Sequence, residues 1–524
     1  MPSTMFGRHM HEFYASFTGH EWANQPPVKR KWLNGVNGSG TSTTPAFFGG
    51  MRPKPLCALL VCFVMGQILS LCLLATAFSD DVWRSRKPEV IERDVCIIGG
   101  GSSGTYSAIR LQQMNKTFVL IEKENRLGGH VNTYIDPVTN QTLDYGVVVW
   151  ENVSIVRDYF THLDVPLSDV TLGEAPVSLY ADFARVSKVP PDALAPGNLT
   201  MGFASYLAQL ARYPYLTNGF NLPDPVPEDL LLPWGDFIRK YDLGAIAFAV
   251  YSYNQGMGNV LAQPTLYVLK YFTASTAIGA STGGFVTTAH HNNQALYDRA
   301  LGRLGSSALI DTHIIKIKRD RKGVEVWTSG PSGSKLIRAR KLLITIPPKL
   351  ANLKFLDTDP VERAVFGQFN SSYYWNSIIK GSEISDNTSI TNVDVAAPYG
   401  IPALPECHAI GYTGVPGLHT VYYSSPYPMS DEAVKSDIIA KHSELVELFG
   451  YGPATTPPEF VGFQGHNPYE LTVSADAIRS GFYGKSESLQ GRRRTWWTGA
   501  AWQTQDSSAI WNFTETIVLP QLCQ

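Results

Sequence analysis

Residues 94–104 read DVCIIGGGSSG, and this stretch decides the fold. Its apolar first half is typical of a buried parallel strand, and its second half matches G-x-G-x-x-G at Gly99, Gly101 and Gly104. The first glycine permits a tight turn, the second lets a pyrophosphate approach the backbone, and the third lets the next helix pack close to the strand. We therefore expect a dinucleotide site, with Ser102 and Ser103 at a helix N-terminus that faces the phosphates.

The following segment supplies the rest of a βαβ unit. We expect a helix from about Ser103 to Met114 and a second apolar strand over residues 118–121. Glu122 ends that strand about 20 residues past the glycines, where an acidic side chain accepts hydrogen bonds from the adenosine ribose, and Lys123 adjoins it. A lone glycine triplet is weak evidence, but strand, glycines, helix, strand and acid in this order are specific.

The next motif separates FAD from NAD. Residues 126–130 read RLGGH, and here the chain resembles the flavin amine oxidase family, in which two glycines, here Gly128 and Gly129, continue the loop around the FAD pyrophosphate. His130 stands where that family commonly has arginine, and Asp144-Tyr145-Gly146 is similar to its acidic turn near the flavin. An NAD-dependent enzyme stays open as an alternative, but it would leave the second pair of glycines unexplained.

Two later segments carry the same resemblance. Residues 293–346 read as an amphipathic helix followed by a strand meander, and the resemblance implies that the backbone of Ile314 contacts the adenine. Residues 495–500 read as a strand and turn, and residues 506–508 as a helix start. In the family this helix points its N-terminus at the flavin, which implies flavin contacts from Gly499, Ser507 and Ser508. Residues 92–111, 126–134 and 143–150 are similar to the fungal flavoproteins grouped with beta-cyclopiazonate dehydrogenase.

The resemblance implies an α/β fold, in which a discontinuous Rossmann-type FAD-binding domain of the amine oxidase kind carries an inserted α+β substrate domain. We expect the FAD-binding domain in residues 90–165, 285–350 and 490–524, and the substrate domain in residues 166–284 and 351–489. Residues 1–54 are expected to be a disordered extension or an artefact of gene prediction.

Residues 55–78 carry no charge and are long enough to span a bilayer. Basic residues precede them, which indicates that the downstream body lies in the secretory lumen or outside the cell. A membrane anchor and a signal peptide that starts at Met51 are both open. N-glycosylation triplets, which suit this route, occur at Asn115, Asn140, Asn152, Asn198, Asn370, Asn387 and Asn512. The triplet at Asn512 falls in an expected buried helix.

The resemblance implies an oxidoreductase that oxidises a small amine-like or alkaloid-type metabolite by hydride transfer to flavin N5, with oxygen or an unidentified acceptor receiving the electrons. FAD is expected to be noncovalent, since no cysteine stands at the attachment motif of some relatives. Lys380, on an expected strand, is the candidate catalytic residue because many members hold a water near N5 with a lysine; a surface lysine is the alternative. A flavin-binding protein without turnover is the alternative function, since His130 and Ala501 depart from the family pattern.

Composition excludes other classes. The formal net charge of -2 lacks the basic excess of a nucleic-acid-binding protein, and the basic run at residues 492–494 reads as a solvated turn. No cysteine or histidine cluster has metal-site spacing, and any disulfide in the body would join Cys407 to Cys523. Three C-terminal residues are candidates for a pocket wall or for core packing: Trp497, Trp502 and Trp511.

Overall fold

Helices and strands are both distributed along the described chain, some singly and some in consecutive runs. The computed structural model describes residues 88–170, 177–194, 197–453 and 456–524, so the expected extension and leader, residues 1–54 and 55–78, lie outside it. The strands are β1 (Glu89–Ile98), β2 (Phe118–Ile121), β3 (Thr133–Ile135), β4 (Thr142–Asp144), β5 (Trp150–Glu151), β6 (Leu167–Asp169), β7 (Val177–Asp182), β8 (Ser187–Val189), β9 (Phe285–Thr288), β10 (Ala308–Leu309), β11 (His313–Arg319), β12 (Val324–Gly330), β13 (Gly333–Ile344), β14 (Asn370–Ser371), β15 (Tyr373–Lys380), β16 (Thr388–Asn392), β17 (Glu406–Tyr412), β18 (Leu418–Ser425), β19 (Glu459–Gly465), β20 (Leu471–Thr472) and β21 (Thr495–Trp497).

The helices connect and cover these strands. They are α1 (Ser102–Gln113), α2 (Ser154–His162), α3 (Leu199–Leu210), α4 (Glu228–Leu231), α5 (Trp234–Tyr241), α6 (Ala247–Tyr253), α7 (Thr265–Tyr271), α8 (Ala274–Thr282), α9 (Gln294–Leu304), α10 (Pro360–Phe366), α11 (Asp431–Phe449), α12 (Ala475–Arg479), α13 (Phe482–Glu487), α14 (Ser507–Phe513) and α15 (Leu519–Cys523). Helix α1 begins at Ser102, one residue before its expected start. Helix α14 begins directly after Asp506, which is its N-cap, because the Asp506 side chain accepts a hydrogen bond from the backbone N–H of Ala509.

The strand that precedes the glycines lies inside a mixed sheet with the order β10-β2-β1-β13-β12-β11, in which β21 also pairs with β13. Strands β1 and β2 are parallel, and every residue of β2 is buried. This burial explains the apolar run of β2, because a parallel strand is covered on both faces. The sheet thus joins strands from the N-terminal, middle and C-terminal parts of the chain.

The second large sheet has the order β19-β15-β18-β17-β16-β7-β8. Strand β15 is antiparallel to both of its neighbours, β18 and β19. One face of this sheet packs with helix α11 around a separate core that includes Trp375, Tyr423 and Leu445. The opposite face of β15 and β18 turns Tyr374 and Tyr422 toward the cavity described below.

Two features of the body bear on points that the sequence raised. The basic run at residues 492–494 does form a turn, but Arg492 binds Asp359 at 2.7 Å and Arg493 binds Asp357 at 2.6 Å, so the run is paired rather than only solvated. Cys407 and Cys523 are both free thiols, and Cys407 is buried, so the disulfide that the sequence left open is absent from the described body. Within the described ranges, no helix is both long and apolar enough to cross a membrane.

Candidate active site

One cavity of about 770 Å³ connects the glycine loop after β1 with the inner face of the second sheet. We call its two walls the nucleotide side and the sheet side. The nucleotide side is formed by Gly99, Gly101, Ser102, Ser103, Glu122, Lys123, Gly128, Gly129 and Ile314, among others. The sheet side is formed by Tyr374, Asn376, Tyr422, Gln464, His466 and Tyr469, among others.

The three glycines of the first motif are required for different reasons. Gly99 has a φ of +101°, and a Cβ there would lie 2.7 Å from atoms of Ile346 and Thr345. A Cβ on Gly104 would lie 1.9 Å from the carbonyl oxygen of Gly99, so this glycine allows α1 to pack against the turn. Gly101 has only the Cα of Gly129 within reach, at 3.9 Å. The missing side chain of Gly101 therefore leaves open space in the cavity, as close approach of a ligand requires.

Glu122 is held by the backbone at the end of β2. Its carboxylate oxygens accept hydrogen bonds from the backbone N–H of Gly100 at 2.5 Å and of Glu124 at 2.8 Å. Each oxygen keeps a further lone pair for a ligand hydroxyl. Lys123 lines the same wall and pairs with the Glu124 carboxylate at 3.2 Å, and its side chain is largely exposed.

The second glycine pair forms a loop opposite the first. Gly128 and Gly129 have φ of +117° and +56°, and the N–H of Gly128 donates to the carbonyl of Gly100. Arg126 fixes this loop because its guanidinium donates to the carbonyl of Val131 at 2.8 Å and to Oδ1 of Asn132 at 2.7 Å. The sequence marked Arg126 as part of a motif but did not indicate this anchoring role.

His130 does not replace the cation that the amine oxidase pattern commonly has at this position. Burial, together with the positive charge of Arg126, lowers the pKa of His130 to about 4, so its imidazole is neutral near pH 7. Its ring meets that of His466 edge to face, with 4.4 Å between the ring centroids. The departure seen in the sequence therefore has an electrostatic consequence: the side chain at position 130 itself adds no positive charge to the cavity near pH 7.

The C-terminal segment closes the nucleotide side. Gly499 has a φ of +112° and lines the cavity. The hydroxyls of Ser507 and Ser102 are hydrogen-bonded at 2.9 Å, which ties the start of α14 to the start of α1. Ser508 lies behind the wall, where its hydroxyl oxygen accepts a hydrogen bond from the backbone N–H of Glu151 at 3.2 Å. Gly104 and Ser508 thus support the site, whereas Ser507 and Gly499 line it.

Lys380 lies outside the cavity. Its side chain is 40% exposed, and its Nζ is 3.7 Å from Oδ2 of Asp136. Asn376, on the same strand, does line the cavity, and four residues along a strand correspond to roughly 13 Å. The expectation of a catalytic lysine at this place is corrected accordingly, because the part of β15 that faces the cavity ends before Lys380.

Two carboxyl groups that line the cavity, those of Glu151 and Asp506, form a pair that the sequence did not predict. Glu151 accepts hydrogen bonds from the hydroxyls of Thr273 at 3.1 Å and Thr276 at 2.9 Å. Burial, together with the nearby Glu151, raises the pKa of Asp506 to about 7, and burial also raises the pKa of Glu151. The two groups come from β5 and from the residue before α14, so local sequence gave no sign that they meet.

The candidate tryptophans pack in the core. Trp497 and Trp502 stack with 6.1 Å between ring centroids, and Trp511 stacks on Tyr106. All three are buried, and the cavity lining does not include them. Core packing is therefore their role, which was one of the two possibilities that the sequence left open.

Fold and site together define a protein with a Rossmann-type dinucleotide-binding fold. Residues 97–163 match the family described as an NAD(P)-binding Rossmann-like domain. A solved CLA-producing fatty acid isomerase from P. acnes has the same fold, with a TM-score of 0.66 and 20% identity over 82% of this chain and 98% of that one. A double mutant of putrescine oxidase has a TM-score of 0.59 and 15% identity over 83% of this chain and 100% of that one. The predicted fold class is confirmed.

Similarity in sequence is much higher to fungal enzymes. The chain is 40% identical to the FAD-dependent oxidoreductase oblC of Cochliobolus heterostrophus over 445 residues, which are 83% of this chain and 92% of the relative. It is 34% identical to the beta-cyclopiazonate dehydrogenase of Aspergillus flavus, over 82% of this chain and 93% of that protein. The chain therefore belongs to the family of fungal FAD-dependent oxidoreductases, and the predicted resemblance is confirmed.

The residues present fit the FAD that this family implies. The space beside Gly101, which a Cβ would enter, suits a pyrophosphate, and the backbone-held carboxylate of Glu122 suits the ribose hydroxyls. Ile314 lies on β11 at the same wall, where its backbone can face the adenine. The nucleotide side thus extends without interruption along one cavity, from Glu122 and Ile314 to Ser507 at the start of α14.

Proposed function

We propose that the protein binds FAD along the nucleotide side and oxidises a small amine-like or alkaloid-type metabolite that enters from the sheet side. The observation that carries this proposal is the continuity of the cavity, since one space joins a dinucleotide loop to a wall of tyrosines, amides and imidazoles. The beta-cyclopiazonate dehydrogenase and putrescine oxidase similarities support an oxidation of this kind. When bound, FAD supplies a ring that accepts a hydride from the substrate.

The protein's own contribution begins with orientation. Val147, Val148 and Trp150 line the same cavity next to Gly146, so they would contact and orient a flat ring system bound there. Val148, Trp150 and most residues of the sheet side are buried, so a substrate bound against them would be shielded from water. Exclusion of water strengthens electrostatic interactions inside the cavity and suppresses side reactions.

The carboxyl pair provides a place for a proton. Loss of a hydride from a carbon that bears nitrogen leaves an acidic N–H or C–H, which must then release its proton. Asp506 can accept that proton at a carboxylate oxygen while Glu151 stays protonated, because two neighbouring buried carboxyls do not both ionise readily. The threonine hydroxyls that hold Glu151 keep the pair in position.

One observation favours a second function, a flavin-binding protein without turnover. Near pH 7 the cavity offers a neutral imidazole at His130 where the amine oxidase pattern commonly has arginine, and Lys380 lies outside it. Both features remove groups that many amine oxidases use. The two functions differ in one result, which is whether any substrate reduces the flavin.

Anaerobic mixing of the purified protein with a panel of primary amines and indole alkaloids tests the choice. The proposed enzyme loses its visible flavin absorbance with at least one member of the panel and recovers it when air is admitted, if oxygen is the electron acceptor. Dithionite serves as the control that the flavin is reducible. Reduction by dithionite alone, with no response to any member of the panel, contradicts the enzymatic proposal and favours the second function.

We also propose that the body is lumenal or secreted, with residues 55–78 acting as anchor or signal. The support is the charge pattern around those residues and the exposure of six of the glycosylation asparagines, Asn115, Asn140, Asn152, Asn198, Asn370 and Asn387. Asn512 is half-buried, and its amide donates to Oδ1 of Asn218 at 2.7 Å, so it should stay unmodified. A mass shift on treatment with an N-glycosidase tests the proposal, and an unchanged mass contradicts it.

A further inference from the structure

The sheet side of the cavity has an ordered arrangement of side chains. Strand β15 lies between β18 and β19, and the register places Asn376 opposite Tyr422 on one neighbour and opposite Gln464 on the other. These three residues form a row across the sheet, and all of them line the cavity. We call this row the amide row.

A second row, formed by Tyr374 and His466, lies beside the amide row. Tyr374 is two residues before Asn376, so the two side chains emerge on the same face of β15. The backbone N–H of His466 donates to the carbonyl of Tyr374 at 2.8 Å, which places His466 next to that tyrosine. The rings of Tyr374 and Tyr422 are nearly parallel, with 8° between their planes, and Tyr469 packs against Tyr374 with 5.1 Å between centroids.

Polar atoms in these rows lack partners within the protein. Asn376 is 3% exposed, and its Oδ1 has no hydrogen-bond partner. His466 is 2% exposed, and neither ring nitrogen has a partner. Buried polar groups without partners cost free energy, so their retention beside a cavity indicates that a ligand satisfies them.

The groups that face a ligand here are uncharged. Burial, together with His130 and Arg126, lowers the pKa of His466 well below its usual range, so its imidazole is neutral. Among the described residues that line the cavity, the basic side chains of lysine and arginine are Lys123 and Arg126, both on the nucleotide side. The acidic side chains that line the cavity are Glu122 and Glu124 on the nucleotide side, and Glu151 and Asp506, which belong to β5 and to the residue before α14 rather than to the second large sheet.

We propose that Asn376 and His466 determine substrate specificity by hydrogen bonding to an uncharged N–H, O–H or carbonyl group of an aromatic or polycyclic substrate that stacks on Tyr374 and Tyr422. The inference rests on the proposed function and makes it narrower: the substrate is alkaloid-like, with its polar group neutral, and is not an alkylammonium held through its charge. An amide and a neutral imidazole can both donate and accept hydrogen bonds, so the rows suit indole, phenol and lactam groups alike.

Three matched probes test this inference in the holoenzyme: 2-naphthol, 2-methoxynaphthalene, and 2-naphthylmethylamine, which is an ammonium at neutral pH. Binding of each probe is measured by calorimetry. We expect the naphthol to bind about tenfold more tightly than its methyl ether, since a hydrogen bond of about 1.4 kcal/mol corresponds to that factor. We expect the ammonium to bind more weakly than the naphthol.

Substitutions of Asn376 and His466 test whether these two residues cause the preference for the naphthol over its methyl ether. Asn376→Leu keeps the approximate size of the side chain but removes its polar atoms, and His466→Phe keeps a ring without nitrogens. Each should reduce the preference for the naphthol to less than about threefold, with little change in binding of the methyl ether. Lys380→Met, on the same strand but outside the cavity, is the control and should retain the full preference. His466→Phe keeps the inference testable if Asn376→Leu does not fold.

Three results would overturn the inference: equal binding of naphthol and methyl ether, no binding of the naphthol, or tightest binding of the ammonium, which would instead point to Glu151 and Asp506. FAD content, measured on each preparation, separates this inference from the proposed function. A protein that holds FAD but shows no preference contradicts the inference alone. A folded protein without FAD contradicts the proposed function.

Discussion

The nucleotide side and the sheet side of the cavity are built in different ways. The nucleotide side is formed by glycines and by a carboxylate fixed by backbone N–H groups, over short stretches of chain around Gly101, Glu122 and Gly129. The sheet side is formed by side chains that three strands bring together, with Asn376 in the centre. Backbone geometry therefore governs one wall, and side-chain chemistry governs the other.

This difference has a functional meaning. A wall made of backbone accommodates one constant group, because backbone positions cannot vary without loss of the fold. A wall made of side chains on a stable sheet can change its chemistry one residue at a time. We therefore expect substitutions on the nucleotide side to affect folding and FAD binding, and substitutions on the sheet side to affect the choice of substrate.

The largest effect is expected for Gly104→Val. A Cβ at this position would lie 1.9 Å from the carbonyl oxygen of Gly99, which belongs to the turn itself, so α1 cannot pack and soluble FAD-containing protein should be lost. The control is Gly302→Ala in α9, where a Cβ meets nothing within 4 Å, and where the free energy of unfolding should rise by about 0.5–1 kcal/mol. Yield and thermal unfolding measure both. Normal yield and FAD content in Gly104→Val would contradict the account.

The next largest effect is expected on the free energy of unfolding, from a substitution in β11, the strand that carries Ile314. At its far end, the buried guanidinium of Arg319 binds both carboxylate oxygens of Glu362, at 2.6 and 2.8 Å, and Asp357 at 2.7 Å. Arg319→Met should lower the free energy of unfolding by about 3–5 kcal/mol, because it leaves a buried carboxylate without its partner.

The control for that variant is Arg338→Met, since Arg338 forms an exposed pair with Glu325 at 3.3 Å. This change should cost less than about 1 kcal/mol. Chemical denaturation measures both variants. Equal effects of the two substitutions would show that the buried network does not support the nucleotide side.

A smaller effect is expected for Glu122→Gln, which keeps the shape of the side chain but removes its charge. The affinity for FAD should fall by about tenfold, as expected for the loss of a charge-assisted hydrogen bond to the ribose. Fluorescence titration of the apoprotein with FAD measures it. The naphthol preference of the reconstituted enzyme should not change; a change there would contradict the separation of the two walls.

The smallest effect is expected in the pH dependence of the free energy of unfolding, through Asp506. The raised pKa of Asp506, about 7, means that the folded protein holds a proton that the unfolded chain releases near pH 4. Its contribution to stability is therefore fully present below pH 4 and is lost as the pH rises through about 7. Asp506→Asn keeps the helix cap but cannot ionise, so the decline in stability across this range should become less steep. An identical pH profile for the variant and the unchanged protein would contradict the assignment.

The sequence indicated that the glycine loop and Glu122 lie together because these parts of the nucleotide side are local in the chain. The glycine spacing, the apolar runs of β1 and β2, and the position of Glu122 lie within residues 94–122, and the structure brings them to one wall. The start of α14 was also predicted, since Asp506 is a residue type that caps helices.

The sheet side could not be predicted in the same way, because it depends on strand register. Asn376 and Lys380 lie on one strand and one face, and only the pairing with β18 and β19 decides which of them reaches the cavity. The proximity of Glu151 and Asp506 likewise depends on contacts between residues more than 350 positions apart in the chain. The 3.2 Å hydrogen bond between Glu151 and Ser508, which are separated by 357 positions, is an example. Periodicity within a segment does not contain this information.

The absorbance spectrum of the purified full chain, combined with the molar amount of FAD per chain, shows whether the nucleotide side holds FAD. We expect the visible bands of oxidised flavin, close to one FAD per folded chain, and loss of those bands when dithionite is added. A well-folded, colourless protein that takes up no FAD when the cofactor is supplied would contradict this expectation.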